Sequence, residues 1–170
     1  MVGFGSYSAK IKVYFQNRPP LTQYQQLEKL KSLDSGEAAH IANETGNHWR
    51  KIFNCYAKFL HELNPKSADS WQEYRDQNLL QKHANEQLLF SVPDLTVQNS
   101  LHIVAGRTYF RSLKLDLKVE WVDQSFAVDL SNQLIVSPYF DYRQLSNQRI
   151  SQLVTLVNQL SESKHTKLDE

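Results

Sequence analysis

The chain has 170 residues, of which 41% are hydrophobic and 22% charged, with a formal net charge of +1. That length builds one domain with a full hydrophobic core, and the near-neutral charge excludes a global basic field, leaving only a local basic patch for any nucleic-acid partner. A single cysteine, Cys55, excludes an internal disulfide framework and a multi-cysteine metal site. No run approaches the roughly 18 apolar residues of a membrane span, and the amino terminus lacks a signal-peptide core, so the expectation is a cytoplasmic protein without a membrane partner.

Residues 1–9 hold two glycines and several hydroxyls and read as a loose lead-in. From Lys10 the pattern alternates, with Ile11, Val13 and Phe15 on one face, which predicts a half-buried strand. Pro19-Pro20 ends it, because prolines donate nothing to a ladder. Thr22 with Gln25 has the spacing of a capping box, and Leu27, Leu30 and Leu33 predict a short helix that exits at Ser35-Gly36. The clearest helix covers Asn47 to Leu63. Trp49, Ile52, Phe53, Tyr56, Leu60 and Leu63 form one apolar face, with Lys51, Asn54, Lys58 and His61 opposite. Asn64-Pro65 stops it. Ser70 with Glu73 predicts a second cap and a helix from Trp71 to about Lys82.

Leu88 to Val92 and Leu101 to Ala105 read as short apolar strands. Gly106 then opens a helix that ends near Leu113 or Leu115. A one-sided strand follows through Trp121, with Phe126 to Leu130 a further strand and Ser131-Asn132 a turn into Leu134. Ser137-Pro138 closes the strand from Leu134, and the last helix starts at about Ser146, with Ile150, Leu153, Val154, Val157 and Leu160 on its apolar face. The domain therefore spans residues 1–160, and 161–170 is a polar, frayed tail. Strands alternating with helices predict α/β with a central, mainly parallel sheet. Only about nine residues separate Val92 from Leu101, fewer than a parallel crossover usually takes, so either that pair is antiparallel or one of the two strands is absent.

In such a sheet ligands bind at the carboxyl ends of the strands. Four segments would meet there: Gln16–Pro20, the helix start Asn47-His48-Trp49, Gly106-Arg107 and Pro138–Asn147. They supply the candidate site residues Gln16, Asn17, Arg18, Asn47, His48, Gly106, Arg107, Pro138, Tyr139, Asp141, Tyr142 and Arg143. Each also has an ordinary reading. Asn17 suits a turn, Asn47 a helix cap, Trp49 the core, and Asp141 with Arg143 a surface ion pair. The histidines show no metal spacing, and neither a phosphate-cradling glycine loop nor a nucleophile elbow is present, so neither metal nor cofactor is expected.

The motif order VYFQNRPP (Val13–Pro20), GNHWRKIF (Gly46–Phe53), IVAGRTYF (Ile103–Phe110) and IVSPYFDYRQLSN (Ile135–Asn147) resembles the uracil-DNA glycosylase superfamily, in particular its mismatch-specific branch. The resemblance covers most of the chain, and its second motif is the most specific. It implies a three-layer α/β/α fold and a nucleic-acid or nucleotide partner. Asn17 would position the water that attacks the sugar carbon. The loop Pro138–Arg143 would enter the minor groove and help to hold a flipped base. Asn47 and His48 would line the pocket, Arg107 and Arg143 would meet phosphates, and Asp141 with Tyr142 would shape the mouth. The chain departs from the family where Phe15 and Gln16 replace a glycine and its neighbour, where Arg18-Pro19 replaces Pro-Gly, and where Phe140-Asp141 stands in place of Ser-Gly. Two alternatives stand beside base excision. One is a non-catalytic member of the fold that binds a nucleotide or a protein partner through Tyr139–Arg143; the other is a small hydrolase using Asp141 or His48.

Overall fold

A computed structural model describes residues 1–97 and 99–168. Among the described residues eight strands form one sheet, in the order β3-β1-β4-β2-β5-β8-β7-β6, accompanied by six α-helices. The strands are β1 (Gly3–Gly5), β2 (Ile11–Tyr14), β3 (Leu30–Lys31), β4 (Glu86–Leu89), β5 (Leu101–Ala105), β6 (Glu120–Trp121), β7 (Ala127–Asp129) and β8 (Leu134–Ser137). The helices are α1 (Thr22–Gln25), α2 (Glu37–Thr45), α3 (Asn47–Leu63), α4 (Trp71–Gln77), α5 (Arg107–Leu113) and α6 (Asn147–Leu168).

The α/β class is as expected, but the sheet is mixed rather than mainly parallel. Only the centre, β4-β2-β5-β8, is a continuous parallel block. On one flank β1 runs antiparallel to β4, and on the other β7 and β6 continue from β8 as an antiparallel meander. The short link between β4 and β5 explains an unexpected feature of this topology. Both strands pair parallel with β2, which lies between them, so they are not neighbours. The link Phe90–Ser100 returns across the sheet without a helix among its described residues, which its contour length permits at about 3.3 Å per extended residue.

Register sorts the core. Leu88, Val13, Ile103 and Ile135 are aligned across the four parallel strands and all are fully buried. With period two this row faces one side, where it packs with α3 and α6 residues such as Trp49, Ile52, Phe53, Tyr56, Ile150 and Leu153. The next row, Leu89, Tyr14, Val104 and Val136, faces the other side and packs with Tyr109 and Phe110 of α5 and with Leu95, Leu117 and Val119. Several titratable groups are buried in this frame, Glu86 and His102 among them. Glu86 accepts from the Tyr74 hydroxyl at 2.9 and 2.8 Å and from the Leu80 N–H at 3.0 Å. On the opposite face Tyr14 Oη lies 2.7 Å from His102 Nδ1.

Several local expectations are corrected. Residues 3–5 are not a loose lead-in; they form β1 against β4. A Cβ at Gly3 would lie 2.1 Å from the Leu88 carbonyl oxygen, so the approach of the two backbones requires glycine there. The segment after Thr22 is helical only to Gln25, with Leu21 rather than a side-chain acceptor at its amino end, and Leu30-Lys31 is a strand beside β1. Helix α2 was not expected, because its buried face is Ala38, Ile41 and Ala42, too small to give a clear period. The Trp71 helix stops at Gln77, although Ser70 Oγ accepts the Glu73 N–H at 3.1 Å as the cap predicts. The alternation from Leu113 to Val119 is not a strand; only Glu120-Trp121 pairs. Helix α6 does not fray at Ser161 but continues to Leu168. Helix α3 spans Asn47–Leu63 as read from its apolar face, but its amino-terminal cap is Gly46, so Asn47 is its first helical residue and not its cap. No helix among the described residues is long and apolar enough to cross a membrane.

Candidate functional site

The parallel strands β2, β4, β5 and β8 all end at one edge. From β2 the chain goes to β4 on one side, while β5, on its other side, leads on to β8. The connections therefore diverge between β2 and β5, the kind of switch point that opens a crevice at the carboxyl edge of an α/β sheet. The segments that follow β2, β5 and β8, together with the start of α3, meet there.

The contacts begin with residues far apart in sequence. His48 Nε2, in the first turn of α3, lies 2.8 Å from Tyr139 Oη, just past β8. Gly106, just past β5, has φ of +102°, and a Cβ on it would meet the Tyr139 ring at 3.7 Å. Between these groups sits Phe15, fully buried at the end of β2. Its ring meets Tyr139 edge-on at 5.8 Å and Phe140 at 5.2 Å. Trp49 closes the cluster, with its ring 6.5 Å from Phe15, 5.7 Å from Phe53 and 6.2 Å from Phe90. Its Nε1–H is buried and has no acceptor among the described residues, an arrangement that leaves the desolvation of a donor uncompensated. Burial pushes the Tyr139 hydroxyl up to about 12, with the Asp141 charge adding to it. The phenol is therefore a neutral hydrogen-bonding partner for His48 around neutral pH.

The surface beyond Tyr139 is cationic and aromatic. Tyr142 is half exposed, with Lys51 Nζ 4.7 Å from its ring centroid and the Arg143 guanidinium at 6.0 Å. Lys51 also lies 3.6 Å from Asp141, whose Oδ1 accepts the Arg143 N–H at 2.9 Å. Asp141 thus folds the loop tightly and keeps one cation beside the ring.

The remaining expected residues are placed differently. Gln16, Asn17 and Asn47 are exposed, and no side-chain hydrogen bond of theirs occurs among the described residues. Arg18 is turned inward and spends one nitrogen on the carbonyls of Tyr24, Gln25 and Leu27 at 3.0, 3.0 and 2.8 Å, with its guanidinium over Phe90. Arg107 lies over the Trp121 ring at 4.5 Å and donates to the Gln124 carbonyl. Pro138 is half-buried, and its carbonyl accepts from the Ser137 hydroxyl at 2.9 Å. The structure thus brings together His48, Gly106 and Tyr139 at this edge, with Asp141, Tyr142 and Arg143 on the loop beyond it. Arg18 and Arg107 are engaged within the fold. Phe15, Trp49, Phe140 and Lys51 complete the site without having been counted in it. The one sequence signal for Lys51 was its place one helical turn after His48. Cys55 is buried and its thiol is pushed up to about 11 by burial, so it offers no thiolate. Among the described residues no three His, Cys, Asp or Glu side chains are grouped so as to hold a metal ion.

Asn17 has no acid or base within hydrogen-bonding range among the described residues, whereas an exposed ring flanked by two cations can stack a planar group beside an anion. A family of unknown function (DUF6942) has a sequence model that matches residues 2–158, and the chain belongs to that family. Comparison with curated proteins and with solved structures found no match.

Proposed function

We propose that this member of the DUF6942 family is a non-catalytic, uracil-DNA glycosylase-like protein that binds single-stranded nucleic acid at the carboxyl edge of its sheet. The fold in this reading is three-layered, with α2, α3, α4 and α6 over one face of the sheet and α5 over the other. The observation that carries the reading is the exposed Tyr142 ring with Lys51 and Arg143 4.7 and 6.0 Å from its centroid, at the edge where the connections diverge. A base stacks on the ring while the neighbouring phosphates meet the two cations. Such stacking is worth about 1–3 kcal/mol per base and tolerates any sequence. Each of the four motifs that carry the resemblance has residues at this edge, which supports the glycosylase-like reading of the fold. The non-catalytic half rests on Phe15: its ring occupies the position where the family has a glycine, and it fills the crevice against Tyr139 and Phe140.

The test is anisotropy of a fluorescent single-stranded oligonucleotide over a range of salt, alongside a base-release assay on uracil, mismatched thymine and etheno substrates. Binding should weaken by about tenfold in Tyr142→Ala. In Arg143→Ala the slope of log affinity against log salt should shrink by about one. No binding at low salt overturns the proposal. Abasic product at stoichiometric protein overturns its non-catalytic half alone.

A further inference from the structure

A cavity lies away from this edge, in the helical layer between α2, α3 and α4. Its volume is about 110 Å³, against roughly 10–15 Å³ for a single water on a comparable measure. The floor is apolar, made by the buried Ala38, Ala42 and Phe53. The rim is polar. Arg50 donates to Asn43 Oδ1 at 3.1 Å, and Arg75 donates to Asn54 Oδ1 at 2.9 Å.

These two bonds fix what the rim has left to offer. A guanidinium only donates, so each asparagine must turn its oxygen toward its arginine. Each amide then points its NH₂ elsewhere, and neither Nδ2 has an acceptor among the described residues. Arg50 forms no ion pair among the described residues. Arg75 gives Nε and one terminal nitrogen to Asp76 at 2.8 and 3.2 Å. The rim therefore carries two guanidinium charges, one carboxylate already engaged, and unspent N–H groups of four side chains. Its surplus is in donors, and its net charge is +1.

We infer that this cavity is a binding site for a small monoanionic carboxylate carrying a compact apolar body, with the carboxylate on Arg50 and the Asn43 and Asn54 amides and the body on Ala38, Ala42 and Phe53. A carboxylate only accepts, so it matches the donor surplus, and its single charge matches the rim. Arginine meets it with two parallel hydrogen bonds. A doubly charged phosphate lacks anything to place on the alanine floor, and a neutral amide brings donors to a rim that already has too many.

The experiment uses the full chain with benzoate, butyrate, benzamide and inorganic phosphate as probes, read by calorimetric titration and by Tm. Benzoate or butyrate should bind and raise Tm, and benzamide should bind at least tenfold more weakly. Arg50→Ala, an exposed position, should weaken the carboxylate by about tenfold or more. Ala39→Leu, also exposed and on the cavity wall, should block binding by bulk while leaving the unliganded Tm unchanged. Equal binding of benzoate and benzamide overturns the inference, and so does phosphate binding as tightly as benzoate. Carboxylate affinity unchanged in both variants places the ligand elsewhere and likewise overturns it.

Discussion

Glu86 and His102 should make the stability of this protein nearly independent of pH between 4.5 and 6.5, and removing either one should expose a steep slope. Both side chains are 1% exposed. Burial raises the Glu86 carboxyl from 4.5 to about 7, against the opposing hydrogen bonds from Leu80 and Tyr74. Burial, with the Lys12 charge nearby, lowers the His102 imidazole from 6.5 to about 4. Between pH 4.5 and 6.5 the folded chain thus keeps a proton on Glu86 that the unfolded chain has released, so this group loses stability as pH rises toward 7. Over the same range the unfolded chain carries a proton on His102 that the folded chain refuses, so that group gains stability as pH rises from 4 to 6.5. Each slope is at most about 1.4 kcal/mol per pH unit, and the two have opposite signs. Glu86→Gln removes one of them with little change of shape. Its amide oxygen can still accept from Leu80, and its NH₂ can donate to the Tyr74 hydroxyl oxygen. In urea unfolding followed by tryptophan fluorescence, the wild type should change little from pH 4.5 to 6.5, whereas Glu86→Gln should gain about 2 kcal/mol more than it over that range. A flat profile in Glu86→Gln, or a wild type that climbs as steeply as the variant, would refute the reasoning.

Three further outcomes are expected. Trp49→Phe trades buried ring area for removal of an unpaired indole N–H, so it should cost less than about 1.5 kcal/mol in urea unfolding, while Phe53→Ala in the same core should cost about 3–5 kcal/mol. Gly3→Ala should lower Tm by well over 10 °C or prevent folding, because its Cβ meets the Leu88 backbone; Gly36→Ala, with open space around it and φ of +84°, should lower Tm by only a few degrees. Phe15→Val removes most of a ring wedged between Tyr139 and Phe140, and it should cost about 2–4 kcal/mol while giving a small aromatic such as benzene a cavity to occupy, seen as a Tm increase in the variant and not in the wild type.

What the sequence made legible follows from side-chain size. Helix α3 was readable to its ends because Trp49, Phe53 and Tyr56 leave no doubt which face is inside. Strands β5 and β8 were readable because they are apolar on both faces and end at Gly106 and Pro138. Strand β1 was not, since Gly-Phe-Gly offers one side chain and no period; its evidence is the space that its glycines leave free beside Leu88. Helix α2 was hidden for a related reason, its core contacts being mainly alanines. The leucines at 27, 30 and 33 had helical spacing, but Leu30 was claimed by pairing with β1, a tertiary demand that local propensity does not register. At the site the sequence located the edge and the loops, because strand ends and helix starts are local signals. It did not locate the guanidinium groups. Arg18 and Arg107 stand where the motifs place them, yet the free carbonyls at the end of α1 and the Trp121 ring take up their side chains, and only the fold brings those partners within reach.

The same distinction between local signal and fold bears on the binding proposed at the carboxyl edge. In that reading, base excision would require a pocket that accepts an extruded base. Phe15 belongs to the core at this edge: its ring is fully buried and meets Tyr139, Phe140 and Trp49. Its burial contributes to stability and holds Tyr139 against His48, which in turn fixes the base of the loop that carries Asp141, Tyr142 and Arg143. Those residues lie outside that core and remain exposed or half-exposed. In the proposed reading the contact surface is this loop, where the exposed Tyr142 ring and the cations near it would take a stacked base without extruding it.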